Sequence, residues 1–287
     1  MRPQQKIMFG LLSILSLTVT ITAQSSREAT ANSYLERGLA SLAKGEKARA
    51  LADFELAIAS DPKLAKAWYN RSIVRYDSGD FERAVDDLDH AIKLDSKYVM
   101  AYLKRGNALV SLGQVVEGLS DYETALRLDP QSVMARNNRG LAKSNLGDLD
   151  GALADYEAAL KQEPNNAFIL NNRAGIRHEK KDYTGALADY DRALALKPDW
   201  PMAWCNRGVT RRTIGDLKGA ESDYDRAIEL KPDFALAYAN RARAKKEQGR
   251  MDEAKKDYEQ GLKLMANGGA TSVGLLNSAA LKSEIPK

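Results

Sequence analysis

The chain is poor in the residues that usually carry chemistry. Cys205 is its only cysteine, so no disulfide can form within the chain. It has two histidines, His90 and His178, far apart in sequence. No Cys/His cluster has metal-ligand spacing. No glycine-rich phosphate loop occurs either; the glycines sit where helices end or approach closely. These gaps argue against catalysis, so we expect no enzyme, no catalytic residue, no metal and no cofactor. Charge of one sign is also scarce. There are 43 Lys+Arg against 39 Asp+Glu; leaving out Arg2 and Lys6 gives 41 against 39, a body of +2. Such a balance does not suggest a nucleic-acid or membrane-surface partner.

Long apolar runs are missing except at the start. Arg2 and Lys6 precede a mostly apolar stretch from Ile7 to Thr22, and Ala23 offers a small residue for cleavage. Residues 1–23 therefore read as a secretory signal, with an uncleaved anchor as the other reading. The expected location is outside the cytoplasm, periplasmic or secreted.

What is present is repetition. Asn138-Arg139-Gly140, Gly147-Asp148, Ala152, Asp155-Tyr156, Ala159 and Pro164 return 68 residues on as Asn206-Arg207-Gly208, Gly215-Asp216, Ala220, Asp223-Tyr224, Ala227 and Pro232. The intervening copy has Asn172-Arg173, Ala186, Asp189-Tyr190, Ala193 and Pro198, so the period is 34 residues. Seven units fit residues 31–268 without insertion or deletion. A period of this length marks stacked supersecondary units, none of which carries a core alone. Each unit reads as two helices. A turn glycine separates them (Gly45, Gly79, Gly113, Gly147, Gly215, Gly249), and a proline closes the second helix in five units (Pro62, Pro130, Pro164, Pro198, Pro232). Lys181 stands where the fifth unit should have its turn glycine, predicting strain or another turn. On the second helix small residues alternate with a large one (Phe54, Leu88, Tyr122, Tyr156, Tyr190, Tyr224, Tyr258), a pattern of interdigitating packing. Residues 269–287 fall outside the period. Val273, Leu276 and Ala280 share one face of a possible short capping helix; a disordered tail is the alternative.

With an aromatic early in the first helix (Tyr34, Trp68, Tyr102, Trp204, Tyr238) and a glycine after it (Gly38, Gly106, Gly140, Gly208), the chain resembles the tetratricopeptide repeat family. The resemblance covers residues 31–268. It implies an all-α fold, a right-handed α-solenoid of about seven helix-turn-helix repeats whose concave face binds peptides or partner proteins. Arg136 and Leu170 depart from the aromatic slot, which predicts looser packing in the fourth and fifth units.

Two columns never vary. Arg37, Arg71, Arg105, Arg139, Arg173, Arg207 and Arg241 recur every 34 residues, as do Asp53, Asp87, Asp121, Asp155, Asp189, Asp223 and Asp257. Both border the packed seam, and a guanidinium can grip a carboxylate with two hydrogen bonds. We read them as structural ion-pair columns rather than as an anion site, since the aspartates would neutralise the arginines.

Specificity should lie in columns that differ, on a shared face. Opposite the packed stripe of the first helices stand Met100, Lys104 and Asn107, then Met134, Asn138 and Leu141, then Phe168, Asn172 and Gly175, then Met202, Asn206 and Val209, then Leu236, Asn240 and Arg243. Asn70 extends the amide column formed by Asn138, Asn172, Asn206 and Asn240. By resemblance that column contacts bound peptide; copied polar surface is the other reading. The Met100, Met134, Phe168, Met202 and Leu236 row suits an adaptable binding surface, or simple packing. The expected function is a non-catalytic exported scaffold holding a peptide or protein segment in its groove. Structural self-assembly and helical-repeat nucleic-acid binding are the alternatives.

Overall fold

A computed structural model describes residues 24–266; the leader at 1–23 and the tail at 269–287 lie outside them. The described residues form fourteen helices and no strand, an all-α fold of the helical-repeat class. Helix α1 covers residues 24–43, and α2 (Lys47–Ser60) folds back from it. Then follow α3 (Ala65–Tyr76), α4 (Phe81–Leu94), α5 (Val99–Ser111), α6 (Val115–Leu128), α7 (Val133–Asn145), α8 (Leu149–Gln162), α9 (Ala167–Glu179), α10 (Tyr183–Leu196), α11 (Pro201–Thr213), α12 (Leu217–Leu230), α13 (Ala235–Glu247) and α14 (Met251–Ala266). Odd and even helices pair as hairpins. The described residues divide into two compact units, one up to Asn138 and one from Arg139 onward.

Small-against-large packing builds each hairpin. Phe54, Tyr156, Tyr224 and Tyr258 are wholly buried; the first three lie between buried alanines on their helices, and Tyr258 lies between buried Ala254 and Gly261. Burying each ring contributes roughly 1.5–3 kcal/mol. The ring needs a partner without bulk on the first helix. A Cβ at Gly208 would lie 2.6 Å from Tyr224 Cε1, and one at Gly106 equally close to Tyr122 Cε1.

The turns are uniform. Gly147 and Gly215 adopt φ of 82° and 85°, where glycine has no steric cost. Lys181 takes the same left-handed turn at φ 65° rather than a different one. Three second helices begin with an Asp-x-x-Gly cap that sequence reading overlooked. Asp148, Asp182 and Asp216 accept hydrogen bonds from the backbone N–H of Gly151, Gly185 and Gly219.

The looser packing expected at Arg136 and Leu170 is not found. Leu170 is completely buried. Arg136 donates to the Pro130 carbonyl at 2.6 Å, as the Trp68 and Trp204 indoles donate to Pro62 and Pro198. A long donor thus replaces the aromatic one at the same chain spacing.

Candidate partner-binding surface

The Arg and Asp columns meet. In the second hairpin Arg71 places Nε and Nη2 on the two oxygens of Asp87, at 3.0 and 2.7 Å, and the same fork recurs with Asp121, Asp155, Asp189, Asp223 and Asp257. The partners are 16 residues apart, one on each helix of a hairpin. The guanidinium also lies over the aromatic three residues earlier: Arg71 over Trp68 at 4.9 Å and Arg207 over Trp204 at 4.6 Å. Three arginines reach backwards as well. Arg105, Arg207 and Arg241 bond Asp89, Asp191 and Asp225 of the preceding second helix, so one side chain ties two hairpins together.

A further cation column completes this network. Arg75, Lys143, Arg177, Arg211 and Lys245 each add an ion pair to the buried aspartate, four residues after the invariant arginine. The first hairpin has Ser41 in that slot, and there Arg37 uses only Oδ1 of Asp53; Asp53 Oδ2 is buried without a partner. With both charges of each pair committed, these columns belong to the scaffold.

The first helices touch one another edge to edge inside each unit. In the first unit Asn138 donates to Asn107 Oδ1 at 2.9 Å, and the Tyr122 hydroxyl donates to the same oxygen at 2.7 Å. Asn70 turns back on the Lys66 carbonyl of its own helix. Met100 and Met134 are exposed beside them, and Lys104 is half-buried. In the second unit Asn206 donates to Asn171 Oδ1, Asn171 in turn reaches Asn172, and Asn240 donates to Cys205 Sγ. Arg243 donates to Asn240 Oδ1. The amide column therefore differs from the exposed row expected. Asn240 is only 4% exposed and Asn138, Asn172 and Asn206 are half-buried. A single-helix wheel could not reveal this, because the neighbouring first helix supplies the cover. Phe168 is 54% exposed, meets Trp200 in a tilted pair with ring centres 4.9 Å apart and carries Lys197 above its ring; Met202 is half-buried.

Between α9, α11 and α13 the wall of the second unit is hollowed into a pocket of about 460 Å³. Met202, Val209 and Leu236 give it apolar sides, and Tyr190 from α10 closes its floor. His178 Nδ1 and Thr210 Oγ1 lie 3.0 Å apart at one edge. Burial lowers the His178 pKa, so the ring is neutral at pH 7. Cys205, also lining the pocket, is fully buried, and burial pushes its thiol up to about 12, which leaves it unreactive. Among the described residues, no group of His, Cys, Asp and Glu could hold a metal ion, and no helix is long and apolar enough to cross a membrane.

Family models described as tetratricopeptide repeat match residues 103–143, 137–201, 31–64, 203–234 and 235–266, and one described as TPR repeat matches 73–113. The chain belongs to the tetratricopeptide repeat family. Repeats of this family serve in general as non-catalytic protein-interaction scaffolds. No curated protein matches the sequence. Among solved structures, a tetratricopeptide repeat protein from Parabacteroides merdae is similar at TM-score 0.70 and 18% identity, over 89% of this chain and 97% of that one. PilF of Pseudomonas aeruginosa is similar at TM-score 0.66 and 19% identity, over 76% and 99%. YrrB, described as a TPR protein with an unusual peptide-binding site, is similar at TM-score 0.51 and 24% identity, over 64% and 95%. At such identities these likenesses concern the tetratricopeptide fold alone.

Proposed function

We propose that this protein is an exported, non-catalytic scaffold that holds a segment of a partner protein against its first helices. The observation that carries this reading is the division of labour between columns. The invariant charges are consumed in joining helices, while the variable column positions leave Met100 and Met134 exposed in the first unit and, in the second, Phe168 exposed and a pocket open. Exposed apolar side chains beside half-buried amides form a surface that a peptide can both pack on and hydrogen-bond to. Export is supported by the charged, apolar and small-residue order of residues 1–23. The peptide-binding site named for YrrB is consistent with the partner class.

A photo-crosslinking amino acid at Met202, on the wall, should capture a partner from the native compartment, whereas one at exposed Ala188 on α10 should not. Equal capture from both positions would remove the assignment. N-terminal sequencing of the mature protein should begin just after Ala23.

A further inference from the structure

Gly175 occupies the interior of α9 with no steric reason to be glycine. Gly106, Gly140 and Gly208 are forced by the ring they face; a Cβ at each would come within 2.8 Å of it. A Cβ at Gly175 would meet nothing nearer than the Tyr190 hydroxyl, at 3.9 Å. Its backbone is ordinary helix, so no left-handed turn demands it. Glycine weakens a helix interior, and here the fold gains nothing visible in return.

What the missing side chain does is open the floor of the pocket. In the third hairpin the equivalent residue is Asn107, which accepts the hydrogen bond of Tyr122. In the fourth and sixth it is Leu141 and Val209, and the hydroxyls of Tyr156 and Tyr224 are sealed away without partners. In the fifth, Tyr190 is 3% exposed yet its side chain lines the pocket, and its hydroxyl makes no hydrogen bond among the described residues. A buried phenol thus points its polar end into a cavity with apolar sides.

We propose that this gap is a socket for a tyrosine side chain of the bound segment, its ring between Met202, Val209 and Leu236 and its hydroxyl on Tyr190. The proposal rests on the peptide-binding reading above. The pocket, about 460 Å³, falls in the usual range of ligand sites, roughly 300–1,000 Å³. An aliphatic guest would strand the Tyr190 hydroxyl away from water without a partner, which is costly. A tyrosine has the matching apolar body and polar tip. A carboxylate fits less well. Arg212 is paired with Glu247 at 2.5 Å, although its buried Nε is left over, and Arg243 bonds the neutral Asn240 at 2.9 Å with Glu179 also in the lining. The floor itself is neutral, because burial raises the Tyr190 pKa, so a carboxylate is the competing guest that the test must separate.

The test is selection of random twelve-residue peptides on the full chain and on Gly175→Leu, which restores the side chain of the preceding hairpin. Tyrosine should be enriched at one position on the parent and lost on the variant. For an enriched peptide, Tyr→Phe should weaken binding about 3- to 10-fold on the parent, read by fluorescence anisotropy, and change nothing on Tyr190→Phe. Enrichment of Asp or Glu, or the same tyrosine preference on Gly175→Leu, would overturn the socket while leaving a peptide-binding wall in place. Enrichment of no peptide on either protein would overturn both. Thermal unfolding of each variant confirms that it is folded.

Discussion

The fifth and sixth hairpins share one template and one compact unit, yet they spend it differently. In the sixth, every slot holds the template residue: Trp204 under Arg207, Gly208 against the Tyr224 ring, Gly215 in the turn. The fifth has Leu170, Ala174 and Lys181 in those three places, and a glycine displaced by one position to Gly175. The ion-pair fork is unchanged between them. Arg173 and Arg177 hold Asp189 as Arg207 and Arg211 hold Asp223. The comparison separates what a hairpin needs to stack from what it can vary. The Arg–Asp pair is constant; the ring, the turn and the residue over the tyrosine are open to use.

The largest expected effect tests the obligatory part. Asp189 and Asp223 are 3% and 1% exposed at the side chain, and each is held by two cations. Asp189→Ala and Asp223→Ala should each cost about 3–5 kcal/mol, because partly buried guanidinium groups are left uncompensated. Urea unfolding midpoints of the two variants should fall together. A markedly smaller loss in the fifth hairpin would mean that its network is slack, and the comparison would fail.

The glycines come next and should move in opposite directions. Gly208→Ala forces a Cβ to 2.6 Å from the Tyr224 ring and should cost about 1–3 kcal/mol by overpacking. Gly175→Ala meets no atom closer than 3.9 Å and should stabilise α9 by about 0.5–1 kcal/mol. Calorimetric melting temperatures read both. Equal losses would mean that Gly175 is a packing residue like Gly208.

How much of this could be read from the chain depends on whether a feature is local to one hairpin. The Arg–Asp fork was legible, because two invariant columns a fixed distance apart, one on each helix of a hairpin, must either meet or be wasted. The second cation column carried the same kind of signal four residues on, but it mixes Arg75, Arg177 and Arg211 with Lys143 and Lys245 and skips Ser41 and Leu109, so identity alone hid it. The amide column was misjudged as exposed because its cover comes from the adjoining first helix, one unit away in sequence. Arg136 looked like a defect because the aromatic slot was read as a ring, when its hydrogen bond to a proline carbonyl is what Arg136 keeps. The pocket was least legible of all. It arises from an absent side chain at Gly175 above a tyrosine on another helix, and periodicity records which residues recur rather than which gaps they leave.

The smallest effect concerns the turn, and a reciprocal exchange isolates it. Lys181 and Gly215 occupy the same left-handed position, at φ 65° and 85°. A Cβ built at Gly215 meets nothing within 4 Å, so only backbone strain distinguishes the two residues there. A side chain in this conformation costs about 1 kcal/mol relative to glycine. Lys181→Gly should therefore raise stability by up to about 1 kcal/mol, less whatever the freer unfolded chain takes back. Gly215→Lys should lower it by a similar amount, and the double exchange should restore the parent midpoint. The sites sit at the turns of separate hairpins, so additivity is expected. If Lys181→Gly instead destabilised the protein, the lysine would be held by an interaction of its own, and the fifth hairpin would be using its turn as well as its glycine gap.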